Sequence, residues 1–166
     1  MGGRGDDWAA WLARHGAALV LFARQWAPLR ADAEDVVQEA FVRFWRSRDR
    51  AEDATAYLYA CVRHCGIDWT RATGRRVRRE EASARSDDRA MLACSLERDE
   101  RRALIEAALS RLPDEQREVV VMKIWGGLTF PQIGAALEIS HDTAASRYRY
   151  AIAKLRGQLA REASHG

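Results

Sequence analysis

Long hydrophobic runs are missing from this 166-residue chain, and so are most of the signals that mark β-strands. No apolar stretch approaches the roughly 18 residues that a membrane-spanning helix needs. The first residues, MGGRGDD, lack the hydrophobic segment of an export signal. Helical periodicity runs through the chain instead. We therefore expect an all-α protein that stays in the cytoplasm and does not insert into membranes.

Cysteine is also scarce, with three residues, an odd number that argues against a disulfide framework in a chain without an export signal. Cys61, His64 and Cys65 lie close together on one predicted helix, and Cys94 would complete a four-ligand set for zinc. Free cysteines are common in helical cores. Core packing is therefore the favoured interpretation, with a metal site or a redox sensor as the alternative, and we predict no metal and no cofactor.

Motifs of catalysis are absent from the sequence as well. It has no glycine-rich phosphate loop, no nucleophile beside a matching base, and no close pair of carboxylates in a plausible pocket. We therefore predict that the protein is not an enzyme.

Positive charge is present locally rather than overall. The net charge is only +3, but the segment RATGRRVRR carries five arginines and no acidic residue. Such a cluster suits DNA phosphates, and a solvated helix end is the alternative. The arginines are Arg71, Arg75, Arg76, Arg78 and Arg79.

Helical patterns divide the first half of the chain into three elements. Apolar residues recur at spacings of three and four from Trp8 to Trp26, and Pro28 is predicted to end this first helix. Asp32 is predicted to cap the second helix. A charged loop from Arg46 to Asp53 then leads into a third helix, which runs into the arginine cluster.

Residues 80–96 mix small, acidic and polar side chains with little periodicity, which is typical of a tether. We therefore predict two small helical domains, at residues 1–79 and 97–166, joined by a flexible linker at residues 80–96. The second domain is predicted to have four helices. One begins at Glu97, and the next opens at Pro113 and ends at Gly126-Gly127.

The last two helices are predicted to form a helix-turn-helix. Thr129 is a suitable N-cap and Gln132, three residues on, completes a capping box. Pro131 fits only a first turn, and Ser140 starts the next helix. Glu138 stands where this turn usually has glycine, and a left-handed backbone there costs roughly 1 kcal/mol or more, so a reshaped turn is the alternative.

The second helix of this motif has an apolar stripe for burial, formed by Tyr148, Ile152 and Leu155. Small and hydrogen-bonding side chains lie largely on another face, which suits a helix in the major groove. These residues are His141, Asp142, Ala145, Ser146 and Arg149. Two packed helices of an ordinary bundle are the alternative interpretation.

Two segments carry a family resemblance. Residues 32–45, DAEDVVQEAFVRFW, closely resemble the second helix of sigma-70 family factors, and residues 112–155 resemble the promoter-reading C-terminal domain of that family. The short chain has no room for extra domains between them. In this it resembles the extracytoplasmic-function (ECF) group of sigma factors.

The resemblance implies a subunit that binds core RNA polymerase, directs it to promoter DNA and helps to open the duplex. It also implies a protein that is a monomer when free. In the family, the polar face of the second helix docks on the polymerase. Here that face maps to Asp35, Gln38, Glu39, Arg43 and Trp45.

The resemblance also assigns two DNA-reading surfaces. The loop from Arg46 to Ala56 would hold an unstacked base of the −10 element. The residues expected beside that DNA are His64, Asp68, Arg71, Arg75 and Arg76. The −35 element would be read as duplex. The residues expected there are His141, Asp142, Thr143, Ala145, Ser146, Arg147 and Arg149.

A free-standing helix-turn-helix regulator, with the N-terminal helices as a dimerisation or sensing domain, is the alternative function. It predicts a dimer and palindromic sites. For the sigma-factor interpretation, we add the hypothesis that a partner, an anti-sigma factor, masks both domains, because exposed docking and DNA faces would otherwise be constantly active.

Overall fold

The protein is helical throughout residues 5–81 and 99–164, the parts that the computed structural model describes, with short connections and no strand in either range. This confirms the predicted all-α class. None of these helices is long and apolar enough to cross a membrane. The helices are α1 (Gly5–Ala23), α2 (Arg30–Ser47), α3 (Ala54–Glu81), α4 (Asp99–Ser110), α5 (Asp114–Ile124), α6 (Phe130–Leu137) and α7 (His141–Ala163).

Helices α1, α2 and α3 pack together to form the N-terminal half, with α2 lying along α3. Aromatic side chains fill its centre. The ring of Phe22 meets the ring of Tyr59 edge-on at a centroid distance of 5.3 Å, and Phe44 is fully buried. A 3₁₀ turn at Arg48–Arg50 joins α2 to α3.

Two predicted boundaries in this half are wrong. Helix α1 ends at Ala23 rather than at Pro28, because the Ala23 carbonyl accepts the Trp26 N–H at 3.0 Å and the chain turns there. Asp32 does not cap α2. The helix begins at Arg30 after Leu29, whose carbonyl already accepts a helical bond, so Asp32 lies in the first turn, where a carboxylate suits the positive helix end.

The C-terminal half contains α4 to α7. Five consecutive residues of α5, from Glu118 to Met122, are buried, so this short helix is enclosed by its neighbours. The predicted glycine stop is confirmed, since α5 ends at Ile124 and Gly127 has a φ of +66°. The predicted start at Glu97 lies outside the described residues, in which α4 begins at Asp99.

The two halves pack against each other. Helix α3 lies on α6 and α1 lies on α5, and one hydrophobic cluster includes residues of both halves. Helix α3 continues to Glu81, so the first two residues of the predicted linker 80–96 are helical. The rest of that linker lies outside the described residues. The sequence analysis did not predict the contact between the halves.

Candidate polymerase and nucleic-acid interface

The start of α6 is fixed by two reciprocal hydrogen bonds. The Thr129 N–H donates to Gln132 Oε1 at 2.9 Å, and the Gln132 N–H donates to Thr129 Oγ1 at 3.3 Å. Pro131 stands in the first turn, where no intrahelical donor is required. The predicted capping box is therefore confirmed.

Helices α6 and α7 meet in a tight turn at Glu138, whose backbone is left-handed with a φ of 57°. The Ile139 N–H donates to the Gly134 carbonyl at 2.9 Å. A Cβ on Gly134 would lie 2.7 Å from the Ile139 carbonyl oxygen, so only glycine admits so close an approach. The turn is thus not reshaped, and the two helices meet as a helix-turn-helix.

The first turn of α7 is capped by Ser140, as predicted. The Thr143 N–H donates to Ser140 Oγ at 3.0 Å. His141, Asp142 and Thr143 are exposed, whereas Ala144 is fully buried against the preceding helix. The exposed turn presents one hydroxyl, one carboxylate and one imidazole to solvent.

The next turn of α7 is less accessible than predicted. Arg149 is exposed, but Ala145, Ser146 and Arg147 are half-buried. Arg147 Nη2 lies 3.2 Å from a carboxylate oxygen of Glu115 on α5. The guanidinium is therefore tied to the neighbouring helix through one of its nitrogens.

Helix α3 presents the predicted −10 residues as one exposed stripe. His64, Asp68, Arg71 and Arg75 follow one another at spacings of four, three and four, and Arg76 lies beside them. All five side chains are exposed. The stripe becomes more basic toward the end of α3, while the side chains of Arg78 and Arg79 lie outside the described residues.

Helix α2 presents the predicted polymerase face next to this stripe. Asp35, Gln38 and Glu39 are exposed. Arg43 donates to a Glu39 carboxylate oxygen at 2.5 Å and to an Asp68 carboxylate oxygen at 3.2 Å, and these two hydrogen bonds raise the pKa of Arg43. One guanidinium therefore bridges the predicted polymerase face and the predicted DNA stripe.

Trp45 lies in the last turn of α2. Its ring is 44% exposed and stacks on Phe41 at a centroid distance of 6.2 Å, and the Arg48 guanidinium lies 3.6 Å above it. Arg48 also donates a hydrogen bond to the Trp45 carbonyl. Trp45, which the resemblance assigns to the polymerase face, is thus exposed but packed against Phe41 and Arg48.

The connection between α2 and α3 ends at Asp53, whose carboxylate has two partners. Oδ1 accepts the Ala56 N–H at 2.8 Å and so caps α3, while Oδ2 accepts Gln132 Nε2 from α6 at 2.9 Å. The predicted −10 loop and the first helix of the predicted −35 motif are thus in direct contact.

Comparisons with known proteins place both halves in one family. Residues 8–76 match sigma-70 region 2, and residues 108–157 match sigma-70 region 4. The chain is 33% identical over 145 residues to an RNA polymerase sigma-E factor of Streptomyces avermitilis, covering 86% of this chain and 79% of that protein. It is 32% identical over 148 residues to the ECF RNA polymerase sigma factor SigL of Mycobacterium tuberculosis, covering 86% and 82%.

This chain is an ECF sigma factor of the sigma-70 family. Its fold is similar to that of the sigma factor RpoE in a complex with the anti-sigma factor NepR from Bartonella quintana. The TM-score is 0.68 at 24% identity, and the likeness covers 92% of this chain and 96% of that one. The alternative of a free-standing regulator is not favoured, because the N-terminal half matches sigma-70 region 2.

The cysteines of this sigma factor that the structure describes belong to the core. Cys61 and Cys65 are buried free thiols, and burial raises the pKa of both, that of Cys65 to about 11. The described residues contain no group of three metal-ligating side chains. Core packing is confirmed for these two cysteines, while Cys94 lies outside the described residues.

The polar residues that join the two halves of the sigma factor were not predicted from the sequence. Arg63 Nε donates to Glu118 Oε1 at 3.1 Å, and Glu118 is only 6% exposed. Burial raises the pKa of Glu118, and the Arg63 guanidinium opposes that rise. The two residues are far apart in the sequence, and neither lies in a motif that marks such a pair.

Proposed function

We propose that this sigma factor binds core RNA polymerase through the exposed face of α2, reads the −10 element with α3 and the loop before it, and reads the −35 element with the start of α7. It acts in the cytoplasm as a subunit without catalytic activity of its own, since the polymerase makes the RNA. The proposal rests on one observation: the chain matches sigma-70 regions 2 and 4 and carries an exposed polar face on each.

The chemistry of the α2 face favours a protein partner rather than DNA. Asp35 and Glu39 are exposed carboxylates, and Gln38 between them is neutral. Carboxylates repel phosphates but pair well with lysine and arginine across a protein interface. The bridge from Arg43 to Asp68 also lowers the negative charge next to the DNA stripe.

The α3 stripe suits a single strand that has left the duplex. Its arginines attract the phosphates of such a strand. Extruding a base costs a few kcal/mol, which stacking and edge hydrogen bonds offset. His64 lies at the start of the stripe, where it can donate to or accept from a base edge.

The start of α7 suits the major groove of a duplex. Thr143 and Arg149 are exposed and offer donors for phosphates or base edges, and Asp142 faces the same approach. Arg147 contributes after it leaves Glu115. Each domain alone binds DNA weakly at cellular salt, and tethering both on one polymerase raises their effective concentration at the promoter.

A partner that masks both domains is part of the same proposal. The Bartonella quintana protein with a similar fold was found with an anti-sigma factor. In this chain, the exposed faces of α2, α3 and α7 are the surfaces that such a partner would cover.

The decisive experiment combines the purified chain with core RNA polymerase and genomic fragments, and sequences the run-off transcripts. We expect discrete start sites that share two upstream elements at a fixed spacing. Random initiation, or a folded chain that does not associate with core polymerase, would contradict the proposal.

Variants then test the three faces separately. Asp35→Ala should weaken core binding without changing the promoter preference, with Glu34→Ala on the same helix as the control. Arg149→Ala should weaken promoter binding by the holoenzyme roughly tenfold, because one base or phosphate contact is lost. Lys154→Ala, exposed on another side of α7, is the matched control.

The salt dependence separates the two roles open to Arg149. If it contacts a phosphate, Arg149→Ala weakens all promoters alike and lowers the salt slope by about 0.9. If it reads a guanine, the loss is confined to promoters with that base, and specificity at that position relaxes. Equal binding by Arg149→Ala and the unmodified chain would remove Arg149 from the interface.

A further inference from the structure

The last turn of α2 carries a tryptophan that is packed from two directions. The Trp45 ring stacks on Phe41 with an angle of 21° between the ring planes, and the guanidinium carbon of Arg48 lies 3.6 Å from the centre of the Trp45 ring. Phe41 comes from the turn before Trp45, and Arg48 comes from the 3₁₀ turn after it. Trp45 is nevertheless 44% exposed.

Arg48 is itself held in place by the backbone of the residue that it covers. Its guanidinium donates a hydrogen bond to the Trp45 carbonyl, at a helix end where carbonyls lack partners within the helix. A cation also suits the negative end of a helix. Only 29% of the Arg48 side chain is exposed. One arginine thus fixes both the backbone and the ring of Trp45.

Phe41 connects the tryptophan to the hydrophobic core. The centroids of the Phe41 and Phe44 rings lie 5.9 Å apart, and Phe44 is fully buried. Trp45 therefore rests on a neighbour that is anchored in the core, and Arg48 holds it from the other direction. A side chain that is already ordered loses less conformational entropy when a partner binds to it.

Trp45 also continues the predicted polymerase face beyond its polar residues. Four exposed residues follow one another along α2 at spacings of three, four and three, so they share one side of the helix. They are Asp35, Gln38, Val42 and Trp45. Val42 is 52% exposed, so the stripe is polar where α2 begins and apolar where it ends. An apolar patch beside polar groups is the usual composition of a protein interface.

The packing around Trp45 favours a protein partner over a nucleic-acid base. A base stacks on the face of an aromatic ring, and here Phe41 and Arg48 lie against the Trp45 ring. The edge of the indole, with its single N–H donor, is left for a partner. Tryptophan is enriched among the residues that contribute most to protein interfaces.

We infer that Arg48 is a positioning residue of the polymerase face: it holds the Trp45 indole in place, so that core RNA polymerase meets an ordered ring. The inference rests on the proposed function for the identity of the partner. Arg48 acts through Trp45 and not through a contact of its own with the polymerase. Without Arg48, the ring has to be ordered at the moment of binding, which lowers the affinity.

Equilibrium binding of the full chain to sigma-free core polymerase, without DNA, tests this role. Trp45→Ala should weaken binding by at least about tenfold, because an interface tryptophan is lost. Arg48→Leu should weaken it roughly three- to tenfold, because the ring loses both the cation above it and its order. Arg14→Leu removes the same charge from an exposed position on α1 and should bind as tightly as the unmodified chain.

The double variant separates positioning from a general effect on the end of α2. If Arg48 acts through the ring, Arg48→Leu has no further effect on core binding in a chain that already carries Trp45→Ala. If Arg48 only supports the helix end, the same loss of affinity appears in both backgrounds. Far-UV circular dichroism and thermal unfolding check that each variant is folded.

NMR of the isotopically labelled free chain reports the contact without the polymerase. The indole N–H resonance of Trp45 is the one that is missing from the spectrum of Trp45→Phe. Arg48→Leu should shift this resonance, because the guanidinium no longer lies over the ring. Arg14→Leu should leave it where it is.

Three results would overturn the inference while the proposed function stands: unchanged core binding by Trp45→Ala, unchanged core binding by Arg48→Leu, or an equal loss from Arg48→Leu with and without Trp45. A folded, unmodified chain that does not bind core polymerase would instead contradict the proposed function, and the inference would fall with it.

Discussion

Replacing Glu138 by glycine should stabilise the helix-turn-helix. Glu138 has a φ of 57°, and it is the only residue other than glycine with a positive φ in the described part of the chain. Its side chain is exposed. The substitution therefore relieves backbone strain without removing a buried group.

The magnitude follows from two opposing effects. A left-handed backbone destabilises a residue with a Cβ by about 1–2 kcal/mol. Glycine costs roughly 0.5–1 kcal/mol through its greater freedom in the unfolded chain. The strain is the larger effect, so we expect a net gain of about 0.5–1 kcal/mol in the free energy of unfolding. For a chain of this size, that raises Tm by about 1–4 °C.

Thermal unfolding of Glu138→Gly and Glu138→Ala measures the effect and its cause. Alanine removes the carboxylate but keeps the Cβ, so it reports the repulsion between Glu138 and the negative end of α6, about 0.3 kcal/mol. We expect the gain in the free energy of unfolding to be larger for Glu138→Gly than for Glu138→Ala by at least about 0.5 kcal/mol. Equal gains for the two variants would refute the reasoning, because the charge and not the backbone would then be responsible.

Three further predictions concern tight contacts and a buried thiol. Gly134→Ala should lower Tm and weaken −35 binding, because a Cβ 2.7 Å from the Ile139 carbonyl forces the turn apart. Gly66→Ala should cost about 1–2 kcal/mol of stability in chemical denaturation, because a Cβ 2.6 Å from the Trp26 ring outweighs the gain of about 1 kcal/mol in helix propensity. For Cys65, whose pKa is raised from 9.0 to about 11, stability should fall as pH rises through that window, since the thiol ionises first in the unfolded chain, and Cys65→Ala should flatten this pH dependence.

Local signals explain why the helix-turn-helix was predictable from the sequence. The capping box depends on two residues three apart, Thr129 and Gln132. The close approach of the Ile139 carbonyl to α6 depends on Gly134 within the same helix. Each of these features is fixed by backbone geometry over a few residues. The exposed residues on α2 and α3 were assigned from the family resemblance, and helical spacing agrees with it, because residues three and four apart share a face.

Contacts between distant segments were not predictable in this way. Arg63 and Glu118 are 55 residues apart, and nothing in the residues around either one identifies the other as its partner. The half-buried state of Arg147 also depends on a carboxylate from another helix, Glu115. Asp32 was misplaced for a different reason: many residues can start a helix, and the backbone began α2 two residues earlier than the best capping side chain.

Asp53 and Gln132 each stabilise the start of their own helix and also join the two halves of the chain. Asp53 uses one carboxylate oxygen to cap α3 and the other to accept from Gln132. Gln132 uses its carbonyl oxygen for the backbone of Thr129 and its amide nitrogen for Asp53. Each side chain thus uses one atom for a hydrogen bond at the start of its own helix and the other atom for a hydrogen bond to the opposite half. Loss of the bond between the halves to water would cost a net of about 0.5–1.5 kcal/mol and would leave both caps in place. The same two residues therefore join the two halves and fix the starts of α3 and α6.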